Sequence, residues 1–165
     1  MKLLVRGWVN VPHSYAIVNC FQLVHLYKNY KDNIEIYIES AEYYNKEWKE
    51  TLVYSNEYNE ILRNFKKWNG EEIDIVYNIT YQYDITKYII NGKIIPKCVF
   101  YTAEFSTLDK NYFCIKNEGH KYGFSNLNDI SVYLENNKEI YFTTPSKWCL
   151  NAMTQMNLDK RINSL

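Results

Sequence analysis

The start of the chain, residues 2–16, constrains the possible fold more than any other stretch. The nearly continuous apolar run Lys2–Trp8 is typical of a strand that is covered on both faces. A short polar turn follows, and Ser14 is placed to cap the next helix, with Pro12 just outside it. This order of strand, turn and helix predicts the opening of an α/β sheet. In such sheets ligands bind at the carboxyl ends of the strands, and the amides of a helix start favour anions.

Later segments repeat this alternation. The first helix is expected to bury an apolar stripe at helical spacing, formed by Ile17, Cys20, Phe21, Val24 and Tyr27. Further strands are predicted at Ile34–Ile38, Ile73–Ile79, Lys97–Thr102 and Glu139–Thr143. Further helices are expected after the potential caps Ser55, Ser125 and Ser146.

The connecting segments carry weaker patterns. The second helix is expected to continue to Trp68 and to end at Gly70. Residues 87–96 are expected to form a short helix and a connector, and residues 108–124 a loop with at most one strand. The order of strands and helices predicts a Rossmann-like, doubly wound parallel sheet flanked by helices.

Composition excludes several classes of protein. Lys plus Arg and Asp plus Glu number 19 each, so we do not expect a nucleic-acid binder with a basic face. No apolar run approaches the roughly 20 residues that span a bilayer, and the run before Arg6 is too short for a signal peptide. We therefore expect no transmembrane segment and a cytoplasmic location. The four cysteines lack metal-ligand spacing and are expected to be reduced.

Polar residues follow the predicted strands one, three, four and five, whose carboxyl ends share one edge of a parallel sheet. They are Asn10, His13, Ser14, Tyr81, Asp84, Thr102, Glu104, Ser146 and Trp148. Hydroxyls, carboxylates and aromatic planes suit a sugar, which needs many hydrogen bonds and stacking faces. Helix caps and loop polarity would also account for Ser14 and Ser146. The residues alone leave both interpretations open.

Several catalytic motifs are absent from the sequence. The first turn has Gly7 and Pro12 in place of the three glycines of a dinucleotide-binding fingerprint. No phosphate-binding Gly-Lys-Ser or Gly-Lys-Thr loop and no Gly-x-Ser-x-Gly nucleophile turn occurs. His13, Asp84 and Glu104 match no specific metal pattern. NAD-dependent, ATP-hydrolysing and serine-hydrolase activities are therefore not expected.

Four blocks of sequence, in order, resemble the N-terminal domain of family 4 glycosyltransferases with the GT-B fold. They are GWVNVPHSYAIVN (7–19), DIVYNITYQYDI (74–85), KCVFYTAEF (97–105) and EIYFTTPSKWCLNAM (139–153). The resemblance implies an acceptor-side Rossmann-like domain over residues 1–158 and the start of an interdomain connector at residues 159–165. It further implies a retaining, metal-independent enzyme that uses a nucleotide-diphosphate sugar and whose second domain, absent from this chain, binds the donor.

The resemblance also implies roles for individual residues, with none of them certain to be catalytic. The residues expected to face the donor phosphate or sugar are Gly7, Asn10, His13 and Ser14. Those expected to bind a carbohydrate acceptor are Tyr15, Tyr81, Asp84, Thr102, Glu104 and Phe105. Ser146 and Trp148 are expected at the interdomain contact. No metal and no cofactor are expected.

The sequence departs from the family at Ser14, where many relatives have a second glycine. Close approach of the backbone to a phosphate is therefore less favoured here. Because Rossmann-like sheets host many functions, a non-catalytic binding or assembly module remains the alternative. A nucleotide-sugar hydrolase or an epimerase-like enzyme is disfavoured by the missing dinucleotide fingerprint.

Overall fold

The computed structural model describes residues 1–41, 47, 54–102, 108–117, 120–154 and 162–164. The chain divides into two compact units, residues 1–80 and residues 81–165. Each unit is α/β, with parallel strands and helices, so the predicted fold class is confirmed at this level. It stays a prediction that residues 1–158 form a single domain and that residues 159–165 begin a connector to another domain.

The first unit contains four parallel strands and two helices. They are β1 (Lys2–Gly7), α1 (Ser14–Tyr30), β2 (Glu35–Ser40), α2 (Asn56–Arg63), β3 (Lys66–Lys67) and β4 (Ile75–Ile79). Parallel pairing joins β1 to both β2 and β4, and joins β2 to β3. Helix α1 is the crossover between β1 and β2, and it packs on β1 and against α2.

The strand order in this unit is β3-β2-β1-β4. The chain therefore moves outward from β1 to β3 and then returns to the other side of β1. This reversal between β1 and β4 is the topological switch point of a Rossmann-like sheet, the place where α/β proteins generally bind ligands. The turn between β1 and α1 lies at this point.

The second unit contains further strands and two helices. They are β5 (Tyr83–Asp84), β6 (Tyr88–Ile90), β7 (Lys93–Ile95), β8 (Lys97–Phe100), β9 (Phe113–Asn117), β10 (His120–Tyr122), α3 (Leu127–Glu135), β11 (Ile140–Thr144), α4 (Lys147–Thr154) and β12 (Ile162–Ser164). Strand β11 lies between β8 and β12, and both pairs are parallel. Strand β9 pairs with β5 in parallel and with β10 antiparallel.

Two predicted connections are wrong. Helix α2 ends at Arg63, capped by Ser55 as expected, and the chain then forms β3 and does not stay helical up to Gly70. The backbone N–H of Trp68 donates to Ile38 O at 3.0 Å, so pairing with the edge of β2 replaces the last helical turn. Residues 88–95 form the antiparallel hairpin β6–β7, not a helix, and Asn91 and Gly92 adopt positive φ in its turn.

Smaller corrections concern helix starts and the loop at residues 108–124. Asn126, not Ser125, caps α3 by accepting the N–H of Asp129. Within residues 108–124, a 3-10 turn (Lys110–Tyr112) and both β9 and β10 form where at most one strand is predicted. Trp48 and Leu52, which have i,i+4 spacing ahead of the Ser55 cap, and Met156, where the sequence predicts the end of the last helix, lie outside the described residues.

The buried stripe of α1 differs from the predicted one. Ile17 and Phe21 are 40% and 51% exposed, whereas Cys20 and Val24 are buried. The buried face consists of Ala16, Asn19, Cys20, Leu23 and Val24. Apolar residues surround much of this helix, so spacing alone did not identify the side that packs on the sheet. The small Ala16 and the amide of Asn19 face the core because the β1–α1 turn packs there.

Candidate functional site

The β1–α1 turn is capped by its histidine. His13 Nδ1 accepts the backbone N–H of Tyr15 at 3.2 Å, and Ile17 N–H donates to His13 O at 3.0 Å. Ser14 is the first residue of the helix, so its predicted role as the cap is wrong. An imidazole can replace a hydroxyl there because the cap position requires only an acceptor near the first amides.

Gly7 is required by the close approach of β1 to β4 and α1. A Cβ at this position would lie 2.7 Å from both Ile79 Cγ2 and Ile79 O, and 3.1 Å from Asn19 Nδ2. Asn19 is completely buried and donates from Nδ2 to Trp8 O at 3.0 Å. The glycine therefore permits close packing of protein segments, and α1 holds the turn by a buried side-chain hydrogen bond.

Asn10 lies at the tip of the turn in the left-handed conformation, with φ of 62°. Its side-chain Oδ1 is buried and has no hydrogen-bond partner among the described residues. Its backbone N–H is hydrogen-bonded to the sulfur of Cys20. Burial raises the pKa of the Cys20 thiol, and the contacts with Tyr54 and Asn10 offset this only in part. Cys20 is thus a protonated, buried support for the turn.

His13 is held as a neutral imidazole. Burial lowers the pKa of His13, and its Nδ1 is used as the acceptor of the cap. The proton of the neutral ring therefore lies on Nε2. The ring packs edge-on against buried Trp8 at 4.9 Å and lies 5.6 Å from the ring of Tyr15. The turn thus fixes one N–H donor beside two aromatic rings.

The histidine cap predicts a pH dependence of stability. Because burial lowers the pKa of folded His13, the unfolded chain binds the proton more readily, and stability falls as the pH drops below the unfolded value of about 6.5. Asparagine also caps helices but does not titrate in this range. Urea unfolding at about pH 7.5 and about pH 5.5 should show a smaller loss of stability in His13→Asn than in wild type. Equal losses in both proteins would contradict this role.

In the second unit, Tyr83 connects two of the predicted acceptor-binding residues. Its hydroxyl donates to Thr102 O at 2.7 Å, and the Thr102 N–H donates back at 3.3 Å. The ring of Tyr81, which is 45% exposed, lies 6.4 Å from the ring of Tyr83 and 6.0 Å from that of Tyr112. The structure therefore places Tyr81 and Thr102 around one buried tyrosine.

The side chain of Asp84 makes different contacts from those of Tyr81 and Thr102. Its carboxylate is buried, with Oδ1 3.4 Å from Nζ of the completely buried Lys97. The same oxygen accepts the N–H of Thr86 at 2.9 Å and its hydroxyl at 2.5 Å. Lys97 begins β8, whereas Thr102 follows the end of β8. The carboxylate of Asp84 therefore serves an internal ion pair, and its role in acceptor binding stays a prediction.

The remaining predicted residues are partly described. Ser146 Oγ accepts the Cys149 N–H at 3.3 Å, so it caps α4 as the alternative interpretation of this residue proposes. Trp148 lies in α4, but its side chain is outside the described part of the chain, as are Glu104 and Phe105. The interdomain role of Ser146 and Trp148 stays a prediction.

A row of polar residues on the first unit was not predicted from the sequence. Arg6 in β1 is directly beside Asn78 in β4 and Glu39 in β2 in the sheet register. Arg6 Nε lies 2.6 Å from Glu39 Oε2, and Asn78 Nδ2 donates to Thr80 Oγ1 at 3.0 Å. Arg6 within an otherwise apolar strand pattern was the one signal of this row in the sequence, since Glu39 lies beyond the predicted end of the second strand at Ile38.

The described residues were also compared with metal centres, membrane spans and known proteins. Among the described residues, no cluster of histidine, cysteine, aspartate or glutamate is arranged to hold a metal ion. Within the same part of the chain, no helix combines the length and the apolar character that a bilayer crossing requires. Comparisons with protein-family models, curated proteins and solved structures give no significant match.

Proposed function

We propose that this chain is the acceptor-side domain of a retaining, metal-independent glycosyltransferase of the GT-B type. The proposal combines the four ordered sequence blocks with the position of the β1–α1 turn at the switch point between β1 and β4. In this proposal the turn contacts a nucleotide-diphosphate sugar. Tyr81 and Thr102 contact a carbohydrate acceptor.

The observation that carries the proposal is the structure of the turn itself. Asn10 is held in a left-handed conformation, and His13 is fixed by its cap. Left-handed non-glycine residues are enriched at ligand sites, and the cap holds the His13 ring in one orientation. Both residues lie at the edge of the sheet where α/β proteins bind ligands.

The chemistry of the turn fits a sugar nucleotide. The Nε2–H of neutral His13 can donate to a sugar hydroxyl or to a phosphate oxygen. The start of a helix of 17 residues favours the negative charge that develops on the leaving diphosphate. In the same-face reaction that the family resemblance implies, the leaving phosphate accepts the proton of the acceptor hydroxyl. The turn therefore needs to supply orientation and hydrogen bonds, but no general base.

Chemical-shift mapping tests this proposal. The isotope-labelled 165-residue chain is titrated with a panel of UDP-, GDP- and ADP-sugars. We expect at least one sugar nucleotide to shift the amides of Asn10, His13 and Tyr15, with a dissociation constant on the order of 1 mM because one domain supplies only part of the site. His13→Ala should abolish these shifts. His120→Ala, which replaces an exposed histidine of β10, should leave them unchanged.

Two results would contradict the proposal. The first is the absence of any shift at residues 8–15 with every sugar nucleotide up to about 20 mM. The second is an identical response of wild type and His13→Ala. Either result would favour the alternative, a non-catalytic α/β module.

A further inference from the structure

The polar row is formed by Asn78, Arg6 and Glu39, which lie side by side on β4, β1 and β2. Side chains alternate between the two faces of a strand, so residues in register share a face. Gly7, the next residue after Arg6, points toward Asn19 of α1. The polar row therefore lies on the face of this sheet that is turned away from α1, at the last position before the carboxyl ends.

The preceding row on the same face is apolar. It consists of Val76, Leu4 and Tyr37, all of them buried. Strands of a parallel sheet are usually apolar along their length because both faces are covered. The change to amide, guanidinium and carboxylate occurs on all three strands at the same level. The change groups three hydrogen-bonding side chains at the carboxyl end of this face.

The row is ordered, and its two charged members reach solvent. Arg6 and Glu39 have side chains that are 25% and 34% exposed, whereas Asn78 is 2% exposed. Arg6 meets Glu39 through two nitrogen–oxygen contacts, at 2.6 Å and 3.4 Å. This paired contact fixes the planes of both groups and leaves part of each facing solvent.

Trp68 extends the row at its outer end. Its backbone N–H donates to Ile38 O at 3.0 Å, which places Trp68 beside Glu39 after the end of β3. Lys66, two residues earlier, lies over the ring of Tyr37, so the period of the strand places Trp68 on the same face as Glu39. Its indole N–H donates to Glu71 O at 3.0 Å, which fixes the ring.

We propose that Arg6, Glu39 and Trp68, with buried Asn78 beside Arg6 as a support, form a binding surface for the adjacent hydroxyl groups of a neutral pyranose ring. A hydroxyl both donates and accepts hydrogen bonds, so two neighbouring hydroxyls can accept from Arg6 and donate to Glu39 at the same time. The indole of Trp68 offers an apolar face for the C–H groups of the ring. This surface deepens the proposed function, on which it rests, by naming the sugar class on the first unit.

A neutral ligand fits this surface better than an anion. The Arg6–Glu39 pair carries no net charge. A phosphate that approached the guanidinium of Arg6 would be repelled by the Glu39 carboxylate, whose Oε2 lies 2.6 Å from Arg6 Nε. Inorganic phosphate is therefore the matched competing probe.

The experiment is a nuclear magnetic resonance titration of the 165-residue chain with methyl α-glycosides of glucose, galactose and mannose, and separately with inorganic phosphate. We expect one glycoside to shift the Trp68 indole N–H and the amides of Arg6, Glu39 and Asn78, with a dissociation constant on the order of 10 mM. Phosphate should leave these four signals unchanged.

Variants separate binding from a purely structural ion pair. The reversed pair Arg6→Glu/Glu39→Arg keeps opposite charges in register but exchanges the donor and the acceptor, and it should weaken glycoside binding at least about tenfold. The control is the same reversal at Glu35 and Lys66, an ion pair of 2.5 Å between β2 and β3 near the amino end of β2. Glu35→Lys/Lys66→Glu should bind as wild type. Trp68→Leu should also weaken binding.

Several outcomes would overturn the inference: no shift of the four signals with any glycoside, equal binding by wild type and Arg6→Glu/Glu39→Arg, or a response to phosphate alone. These outcomes are distinguishable from failure of the proposed function. Sugar nucleotides that shift residues 8–15 while glycosides leave the row unchanged would contradict only this inference. If glycosides shift the signals of the row while no sugar nucleotide shifts residues 8–15, only the proposed role of the turn is contradicted.

Discussion

Replacing Lys97 by methionine is expected to lower the free energy of unfolding by about 3–5 kcal/mol. Lys97 is completely buried, and its Nζ contacts Asp84 Oδ1 at 3.4 Å and donates to Thr86 O at 3.1 Å. Methionine has a similar length and would fill the space, but it would leave the carboxylate of Asp84 buried without its cation. The cost of an uncompensated buried charge exceeds the gain from an apolar side chain.

Urea unfolding of single and double variants tests this account. Asp84→Asn keeps an oxygen that can accept from Thr86 but removes the charge, so Lys97→Met/Asp84→Asn should be more stable than Lys97→Met alone. The control is Lys66→Met, which breaks the exposed pair with Glu35 and should lower the stability far less than Lys97→Met, because solvent screens an exposed pair. A cost of Lys97→Met as small as that of Lys66→Met would contradict the importance of the buried pair.

Replacing Gly7 by alanine is expected to cost about 3 kcal/mol or more. The added Cβ would lie 2.7 Å from the side chain and from the backbone oxygen of Ile79. A side chain can adopt another rotamer, but the backbone of β4 is held by its pairing with β1. The strands would therefore have to separate at the switch point, and the β1–α1 turn would move with them.

Gly123→Ala is the matched control for this prediction. A Cβ at Gly123 meets no atom within 4 Å, so its effect should be within about 1 kcal/mol of wild type. Thermal or urea unfolding of both variants gives the comparison. If Gly7→Ala is as stable as Gly123→Ala, the close approach of β1 and β4 is wrong.

The sequence predicts the main strands because their apolar runs are long and are separated by clear turns. Strands β1, β4, β8 and β11 lie within one or two residues of the predicted bounds. Ser55 and Ser146 were identified as caps because a hydroxyl before an apolar pattern has few other local roles. These features depend on neighbouring residues alone, and so a single sequence is enough to find them.

Features that depend on tertiary packing were missed. Phe65 and Trp68 continue the helical spacing of Ile61, but pairing of β3 with β2 overrides that pattern. Asn91 and Gly92 between apolar residues were a sequence signal for a hairpin, and the short length of both strands obscured it. On α1, apolar residues lie on several sides of the helix, so the sequence did not show which side packs against the sheet.

The candidate site was predictable in part. The sequence identified Gly7, Asn10 and His13 because one strand-to-helix turn brings them together. It did not identify the pairing of Asp84 with Lys97, because the two residues are 13 positions apart and meet only in the folded unit. The polar row was missed because its register exists only once β1, β2 and β4 are aligned.

The most direct test of the proposed function is the location of a bound sugar nucleotide on the first unit. Transferred nuclear Overhauser effects can be recorded between the labelled 165-residue chain and the sugar nucleotide that gives the largest shifts. We predict contacts from the anomeric proton of the sugar to side-chain protons of His13 and Asn10. Contacts that map instead to the groove lined by Tyr27, Lys31 and Glu60, far along α1 from the turn, would contradict the account.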